Sequence, residues 1–462
     1  MKALFLFVIS AGYIWAAERP NVILVMADDQ GWGDMGYMGH KVLRTPVFDD
    51  MARKGLRFDR FYSAAPVCSP TRASVLTGRH PNRMGCFQWG HTLRKDEITI
   101  AEALRGAGYA TGHFGKWHLG SVRADSEVAP GKNGFDEWVS APNFYENDPL
   151  FSHNGKVIDT RGESSDVTVD LALKWMGTVK KRPFLSVVWF GNPHGPHVGT
   201  EKYLKLYGGE TKAMANFYAE ITAMDAAMGK LRDGMKKLGI AENTLLWYCS
   251  DNGGLKPNSM AGLAGKKGTL LEGGIRVPGI IEWPSKIKSG RITQVNANTV
   301  DIYPTILELA GVQHPDIQPQ LDGVSLAGLV TGEAKFRRDK PMGFWTYPAG
   351  GHPMRARKIL EALRDEGKDG KPVTAPRAGF VDKKYPLDVF PGRAAWIAGD
   401  WKLHRIPGKN GAVEYRLHHL ARDIQERHDL SGVQPERLAR LKAELAAWQK
   451  SVVHSLNGGD YQ

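Results

Sequence analysis

Residues 21–29 read NVILVMADD: a nearly unbroken apolar run that stops on two adjacent carboxylates, Asp28 and Asp29. A strand with one wet face alternates apolar and polar residues. A run without alternation is a strand buried on both faces. Two more stretches repeat the pattern, PFLSVVWF at 183–190 and NTLLWYC at 243–249. Between them Met214, Phe217, Ile221, Met224, Met228, Leu231, Met235 and Leu238 recur every three or four positions, which predicts a long amphipathic helix. Strands separated by helices imply an α/β fold, a mostly parallel sheet with helices on both faces. In such sheets the site lies beyond the carboxyl ends of the strands. Asp28–Asp29, His194 and Asp251–Asn252 each follow one of the three runs, so one cleft is expected to hold them all.

From about residue 335 the texture changes. Short β-like runs at 394–398, 401–406 and 413–417 are separated by turns, and a final helix opens near Pro435 with Leu438, Leu441, Leu445, Trp448 and Val452 on one face. This predicts a smaller antiparallel sheet plus helix, and a division into residues 18–334 and 335–462. The basic, Pro- and Gly-rich stretch 350–391, with a short helical piece, reads as a surface insertion; with His352 and Arg355 it could wall the cleft.

The chain has 462 residues, enough for a large core, and nothing in it reads as disordered or repetitive. Lys and Arg outnumber Asp and Glu by 61 to 49, so a polyanionic partner is favoured over a neutral one, the plain alternative being solubilising surface charge. No nucleic-acid signature accompanies the charge. At the N-terminus Lys2 precedes an apolar run to Trp15, followed by Ala16, Ala17 and then Glu18–Arg19. That layout predicts a signal peptide over residues 1–17 and a secreted or periplasmic protein, and it is short for a membrane span. No later segment is long and apolar enough to cross a bilayer. Three cysteines, Cys68, Cys86 and Cys249, exclude a disulfide framework. Cys249 ends an apolar run and reads as a small buried hydrophobe.

Two carboxylates side by side in a turn repel each other, and a hard cation between them makes the arrangement favourable. Asp251–Asn252 ends a second strand in the same way, and together the two pairs offer only oxygen ligands, which suit Ca²⁺ or Mg²⁺ better than Zn²⁺. Each pair alone is more often an ordinary turn than a metal site; together, at two strand ends of one sheet, they favour a metal. The run CSPTRASVLTGR (68–79) places Pro70 in a helix first turn, so Cys68 sits at a helix N-terminus with Arg72 four residues on. A thiol of lowered pKa is one reading of that position.

The pattern C-x-P-x-R followed by Leu76-Thr77-Gly78-Arg79 resembles the maturation signature of type I sulfatases. So do Pro20-Asn21-Val22-Ile23 leading to Asp28–Asp29, Gly115-Lys116-Trp117-His118-Leu119-Gly120, Pro193-His194-Gly195-Pro196, Asp251-Asn252-Gly253-Gly254, and Lys267-Gly268-Thr269 with Glu272-Gly273-Gly274-Ile275-Arg276. The likeness runs in order from about 20 to 330, and residues 417–430 (LHHLARDIQERHDL) resemble the family's C-terminal sheet segment. Residues 133–138 (NGFDEW), with Asn143, resemble the branch of N-acetylgalactosamine-6-sulfatase and arylsulfatase A.

The resemblance implies an alkaline-phosphatase-like fold, Ca²⁺ held by Asp28, Asp29, Asp251 and Asn252 and touching residue 68, and conversion of Cys68 to formylglycine by a maturation enzyme. It implies that Arg72 and Lys116 neutralise charge around the nucleophile, that Lys267 and His194 face the sulfate and leaving oxygen with His194 as general acid, and that His118 accepts the proton that releases sulfate. His197, Trp89 and His91 are further candidate substrate contacts. The expected substrate is a sulfated carbohydrate of galactose or N-acetylgalactosamine type. Two alternatives stay open at this point: a formylglycine-dependent phosphodiester or phosphonate monoester hydrolase, and a non-catalytic binder of sulfated glycans.

Overall fold

The structure is a computed structural model that describes residues 19–287, 290–366 and 374–461. The expected signal peptide and part of the insertion lie outside the described residues. The main sheet is built from β1 (Asn21–Ala27), β2 (Leu56–Tyr62), β3 (Ala110–Lys116), β4 (Glu137–Ala141), β5 (Leu150–His153), β6 (Lys156–Asp159), β7 (Phe184–Trp189), β8 (Thr244–Ser250), β9 (Arg276–Glu282), β10 (Arg291–Thr293) and β11 (Ala297–Asn298). Its order is β10-β2-β9-β8-β1-β7-β3-β4-β5-β6, with β11 beside β2. The central run β8-β1-β7-β3-β4 is parallel throughout, and the antiparallel pairings lie outside it.

β1 is central because its sequence has no polar face to offer water. Val22, Leu24 and Met26 enter the core on one side of the sheet and Ile23, Val25 and Ala27 the core on the other. Burying each Val, Leu, Ile or Met side chain contributes about 1.5–3 kcal/mol. The long helix spans Lys212–Leu238, its Thr211 cap accepting from the Met214 N–H and Gly239 closing it in the left-handed region. Phe217, Ile221, Met224, Met228, Leu231 and Met235 are buried against the sheet, and Met214 and Leu238 are partly so. All three cysteines are free and buried.

The second sheet has the order β12-β13-β14-β15, from β12 (Met342–Thr346), β13 (Arg393–Ala398), β14 (Trp401–Pro407) and β15 (Val413–His419), all antiparallel. β12 is one strand more than the sequence pattern predicts, because its five residues (MGFWT) are too few to display a period. The helix Pro435–Leu456 packs Leu441, Leu445, Val452 and Val453 on one face of this sheet. The opposite face carries Met342, Phe344, Ala395 and Ile397 against Tyr62, Leu270 and Ile275 of the main sheet's side.

A buried ionic cluster crosses that contact. Lys402 of β14 lies 2.9 Å from Glu272 and 3.1 Å from Glu426, with all three side chains sealed from solvent. His404 pairs with Glu426, Tyr62 donates to Glu272 at 3.0 Å, and the Glu272 N–H donates to Glu426 at 2.7 Å. Burial pushes the Glu426 carboxyl up, but Lys402 and His404 outweigh it and hold it at about 2, below the ordinary 4.5. A carboxylate with a depressed folded-state pKa contributes stability that is present above the unfolded value and lost as pH falls toward the folded one. Glu426→Gln is therefore expected to lower stability by roughly 3–5 kcal/mol near pH 7, as one partner of a buried pair is removed. The gap to the wild type should narrow as pH drops below about 4.5 toward 2. Urea unfolding at pH 7, 5 and 3.5 measures it, and a gap independent of pH would contradict the assignment.

Candidate active site at the strand ends

Four parallel strands deliver the site. β1 runs into Asp28 and Asp29, β8 into Asp251 and Asn252, β3 ends on Lys116 with His118 just beyond, and His194 lies in the loop after β7. Neighbouring strands in register bring these ends together: the Asp251 N–H donates to the Ala27 carbonyl, and the Asp28 N–H to the Asn192 carbonyl. Asp29 and His118 both take left-handed backbone (φ 68° and 54°), a strained choice for side chains with a Cβ that concentrates at working sites.

The helix Cys68–Thr77 begins on Cys68, whose side chain is buried, and places Arg72 one turn in. The loop carrying Lys267 is bound to both sides of the cleft, through the Lys267 N–H to the Gly254 carbonyl (3.1 Å) and the Gly268 N–H to the Pro66 carbonyl (3.0 Å). Glycine is required where these segments cross: a Cβ on Gly253 would stand 1.9 Å from the Gly273 carbonyl oxygen.

Ligand atoms of Asp28, Asp29, Cys68 and His194 all lie within 4.8 Å of one another. Around them are three cations. Lys116 Nζ is 2.6 Å from Asp28, and Arg72 is 2.8 Å from Asp251 and 3.6 Å from Asp28. Lys267 Nζ is 2.5 Å from Asp29 and 3.6 Å from Cys68 Sγ. Asp251 accepts the Asp29 N–H (3.0 Å), and the Asn252 amide donates to Asp29 (2.8 Å). Two buried acceptor oxygens, Asp28 Oδ1 and Asn252 Oδ1, have no hydrogen-bond partner. Lone pairs kept from water without a donor are costly, and a hard cation satisfies them. The donor set thus fits an oxygen-ligated ion such as Ca²⁺.

The electrostatics sort the groups by proton. Burial pushes the Cys68 thiol up to about 12, outweighing Lys116 and Lys267, so the lowered thiol pKa read from the helix N-terminus is overturned by desolvation. Burial also raises Asp251 to about 7, Asp28 adding to it, whereas Lys267, His194 and Asn252 overcome burial at Asp29 and hold it at about 2. Lys267 is raised, despite burial, by Cys68 and the three carboxylates, so it keeps its proton. His118 is pushed well down by burial and by Lys116 and Arg72, and neither of its ring nitrogens has a partner. It is a neutral acceptor with a free lone pair. His194 is held at about 4, burial being the main cause. Its Nδ1 meets the Gly195 carbonyl at 2.7 Å and its Nε2 lies 3.7 Å from Asp29. As a neutral ring its one proton sits on Nδ1, so it can act as an acid at Nε2 only when it takes up a second proton.

His197 is turned elsewhere, to Glu220 (3.3 Å) and the Phe217 ring. His91 meets the Gly350 carbonyl (2.9 Å) and stacks on His352, while Trp89 is exposed beside Gly351. Sequence reasoning misses Phe144, which stacks on His194 with ring centroids 4.1 Å apart, and Trp189, beneath the Arg72 guanidinium at 5.1 Å. Trp189 is hidden in its apolar strand. Phe144 adjoins Asn143, but nothing in its own residue type marks it as functional.

With this geometry the family can be read directly. The Sulfatase family model matches residues 20–312, well over half of the chain. The chain belongs to the sulfatase family. A second model, that of the N-sulphoglucosamine sulphohydrolase C-terminal region, matches residues 265–362 of this sulfatase. It is 32% identical to bovine (Bos taurus) arylsulfatase A over 392 residues, 75% of either chain. It is 31% identical to N-acetylgalactosamine-6-sulfatase of Canis lupus familiaris over 377 residues, 71% of this chain and 69% of that one. Among solved structures Ps i-CgsB superposes with a TM-score of 0.78 at 25% identity, covering 94% of this chain and 93% of that one. The sulfatase is accordingly a sulfuric ester hydrolase, with a mostly parallel sheet, flanking helices and a smaller antiparallel sheet as the sequence predicts. No helix among the described residues is long and apolar enough to cross a membrane.

Ca²⁺ added to chelator-treated protein is expected to raise the melting temperature, the stability gained reaching about 2.7 kcal/mol at one hundred times the Kd. Asn252→Ala should weaken the response by removing one unpartnered oxygen. A melting temperature indifferent to Ca²⁺ would contradict the donor set.

Proposed function

We propose that this sulfatase removes sulfate from a sulfated carbohydrate, of galactose or N-acetylgalactosamine type, with Cys68 matured to formylglycine by a maturation enzyme and Ca²⁺ held by Asp28, Asp29, Asp251 and Asn252. The observation that carries the reading is Cys68 at its helix N-terminus, in one cluster with Asp28, Asp29 and His194 and 3.6 Å from Lys267. A thiol held protonated near 12 is a poor nucleophile, which favours an oxidised residue 68 as the working group. Formylglycine as its hydrate supplies an oxygen nucleophile and a second hydroxyl, and Ca²⁺ supplies Lewis-acid stabilisation of sulfate charge.

The chain's own residues do the rest. Arg72 and Lys116 neutralise Asp251 and Asp28, which lets a sulfate anion approach three carboxylates. Protonated Lys267 donates toward the sulfate oxygens from its place between Asp29 and residue 68. His194, once protonated at Nε2 beside Asp29, gives a proton to the leaving alcohol oxygen, and His118 accepts one at a free ring nitrogen as sulfate departs. The net reaction adds one water across the O–S bond, giving alcohol, sulfate and a proton. A sulfated polymer outside the cell agrees with the signal-like N-terminus and the +12 charge, which speeds encounter with a polyanion. The named relatives are sulfatases, which favours sulfate over a phosphodiester or phosphonate.

Cys68→Ala is expected to fold and to lose activity on an aryl sulfate by about 10⁴-fold or more, since the covalent step is removed. Mass spectrometry of the wild-type peptide carrying residue 68 should give the aldehyde rather than the thiol. Aryl sulfate should be turned over faster than an aryl phosphodiester. A thiol at residue 68 in fully active enzyme would overturn the nucleophile assignment, and wild-type-like activity in Cys68→Ala would do the same.

A further inference from the structure

A cavity of about 360 Å³ opens beside the sulfate site. It is lined by Phe144, Glu146, Pro149 and Pro196 and, on the insertion's wall, by Arg355, Lys358 and Glu361. Phe144 belongs to both places, because the residue that lines the cavity also stacks its ring on His194. The cavity therefore begins one aromatic ring away from the histidine that faces Asp29.

The far wall is anchored, although the sequence reads it as a surface insertion. The helix Ala356–Asp365 inserts Leu360, which is fully buried, into the main core. The Asn143 amide donates to the Met354 carbonyl (2.8 Å), Arg357 donates to the Asp148 carbonyl (2.9 Å), and the His352 N–H donates to the Trp89 carbonyl (3.0 Å). The side chains of Arg355, Lys358 and Glu361 have no hydrogen-bond or ion-pair partner among the described residues. Two donors and an acceptor are thus presented from a fixed segment, Arg355 at the helix cap and Lys358 and Glu361 within the helix, in a cavity that also offers apolar ring and proline surface and the Glu146 carboxylate.

That combination fits a pyranose ring. Its C–H face packs on apolar surface, and its hydroxyls take donors and acceptors at the rim. The volume falls within the roughly 300–1,000 Å³ of small-molecule sites. We propose that this cavity holds the sugar next to the sulfated one, so that the substrate is an oligosaccharide chain and not a sulfated monosaccharide. The inference rests on the carbohydrate reading above and adds to it the residues that read the neighbouring unit.

The test compares kcat/KM on 4-nitrophenyl sulfate, on the 6-sulfates of galactose and N-acetylgalactosamine, and on sulfated galactan and chondroitin 6-sulfate oligosaccharides. The wild type is expected to favour an oligosaccharide over its monosaccharide by about tenfold or more, the equivalent of one or two good contacts. The double variant Arg355→Ala/Glu361→Ala should lower the ratio of oligosaccharide to aryl sulfate kcat/KM by about tenfold, mainly through KM. The ratio is independent of how much of the variant is correctly folded. Equal turnover of monosaccharide and oligosaccharide by the wild type, or an unchanged ratio in the double variant, overturns the proposal. An enzyme that cleaves the aryl sulfate but no saccharide of any length overturns the carbohydrate reading itself, and this subsite with it.

Discussion

Three carboxylates and three cations meet at the carboxyl end of the central strands almost out of water, and neither set could stand there without the other. Asp28, Asp251, Arg72 and Lys116 are fully buried, Asp29 nearly so, and Lys267 is partly buried. Removing one partner of a buried pair costs about 3–5 kcal/mol, because the other charge is left unsolvated. Each charge must therefore be held where its partner is, and that requirement explains the stiffness around it. The carboxylates follow two strands that are buried along their whole length. Arg72 and Cys68 share one helix, and the Lys267 loop is tied to both sides of the cleft by backbone hydrogen bonds.

The second sheet takes part in the same arrangement at one remove. Glu272 lies five residues beyond Lys267, and its backbone N–H is held by Glu426 while its carboxylate is held by Lys402, Tyr62 and Arg276. The loop bearing Lys267 is thereby fixed from the C-terminal side of the chain by charge–charge contacts sealed from solvent. Such contacts are directional where apolar packing is not, and they resist the sliding of one sheet face over another.

Burial also decides the chemistry of individual groups. A helix N-terminus and nearby lysines favour a thiolate, yet at Cys68 desolvation is larger and the thiol stays protonated. The same desolvation keeps His118 neutral with both ring nitrogens unpartnered. One enclosed volume thus contains a lysine that keeps its proton, a histidine ready to accept one, and a cysteine held as the protonated thiol.

By itself the sequence determined the sheet and set the candidate residues at the ends of its strands. Nearly unbroken apolar runs at 21–27, 184–189 and 244–249 fit the middle of a sheet covered on both faces, and the polar residues that end them emerge together at one edge of it. The motifs around Cys68, Lys116, His194, Asp251 and Lys267 were legible as well, because they are dense in charge and glycine and sit at element ends. Tertiary structure alone decided the rest. Phe144 and Trp189 became parts of the site only by lying against His194 and Arg72, and aromatic residues carry no mark of that in their own segments. His197 went to Glu220 although it stands three residues from His194. The insertion, polar and basic in sequence, proved anchored because Leu360 reaches the main core. The thiol of Cys68 titrates high and not low for the same physical reason: desolvation depends on every element packed around a group, and no local stretch of sequence contains that sum.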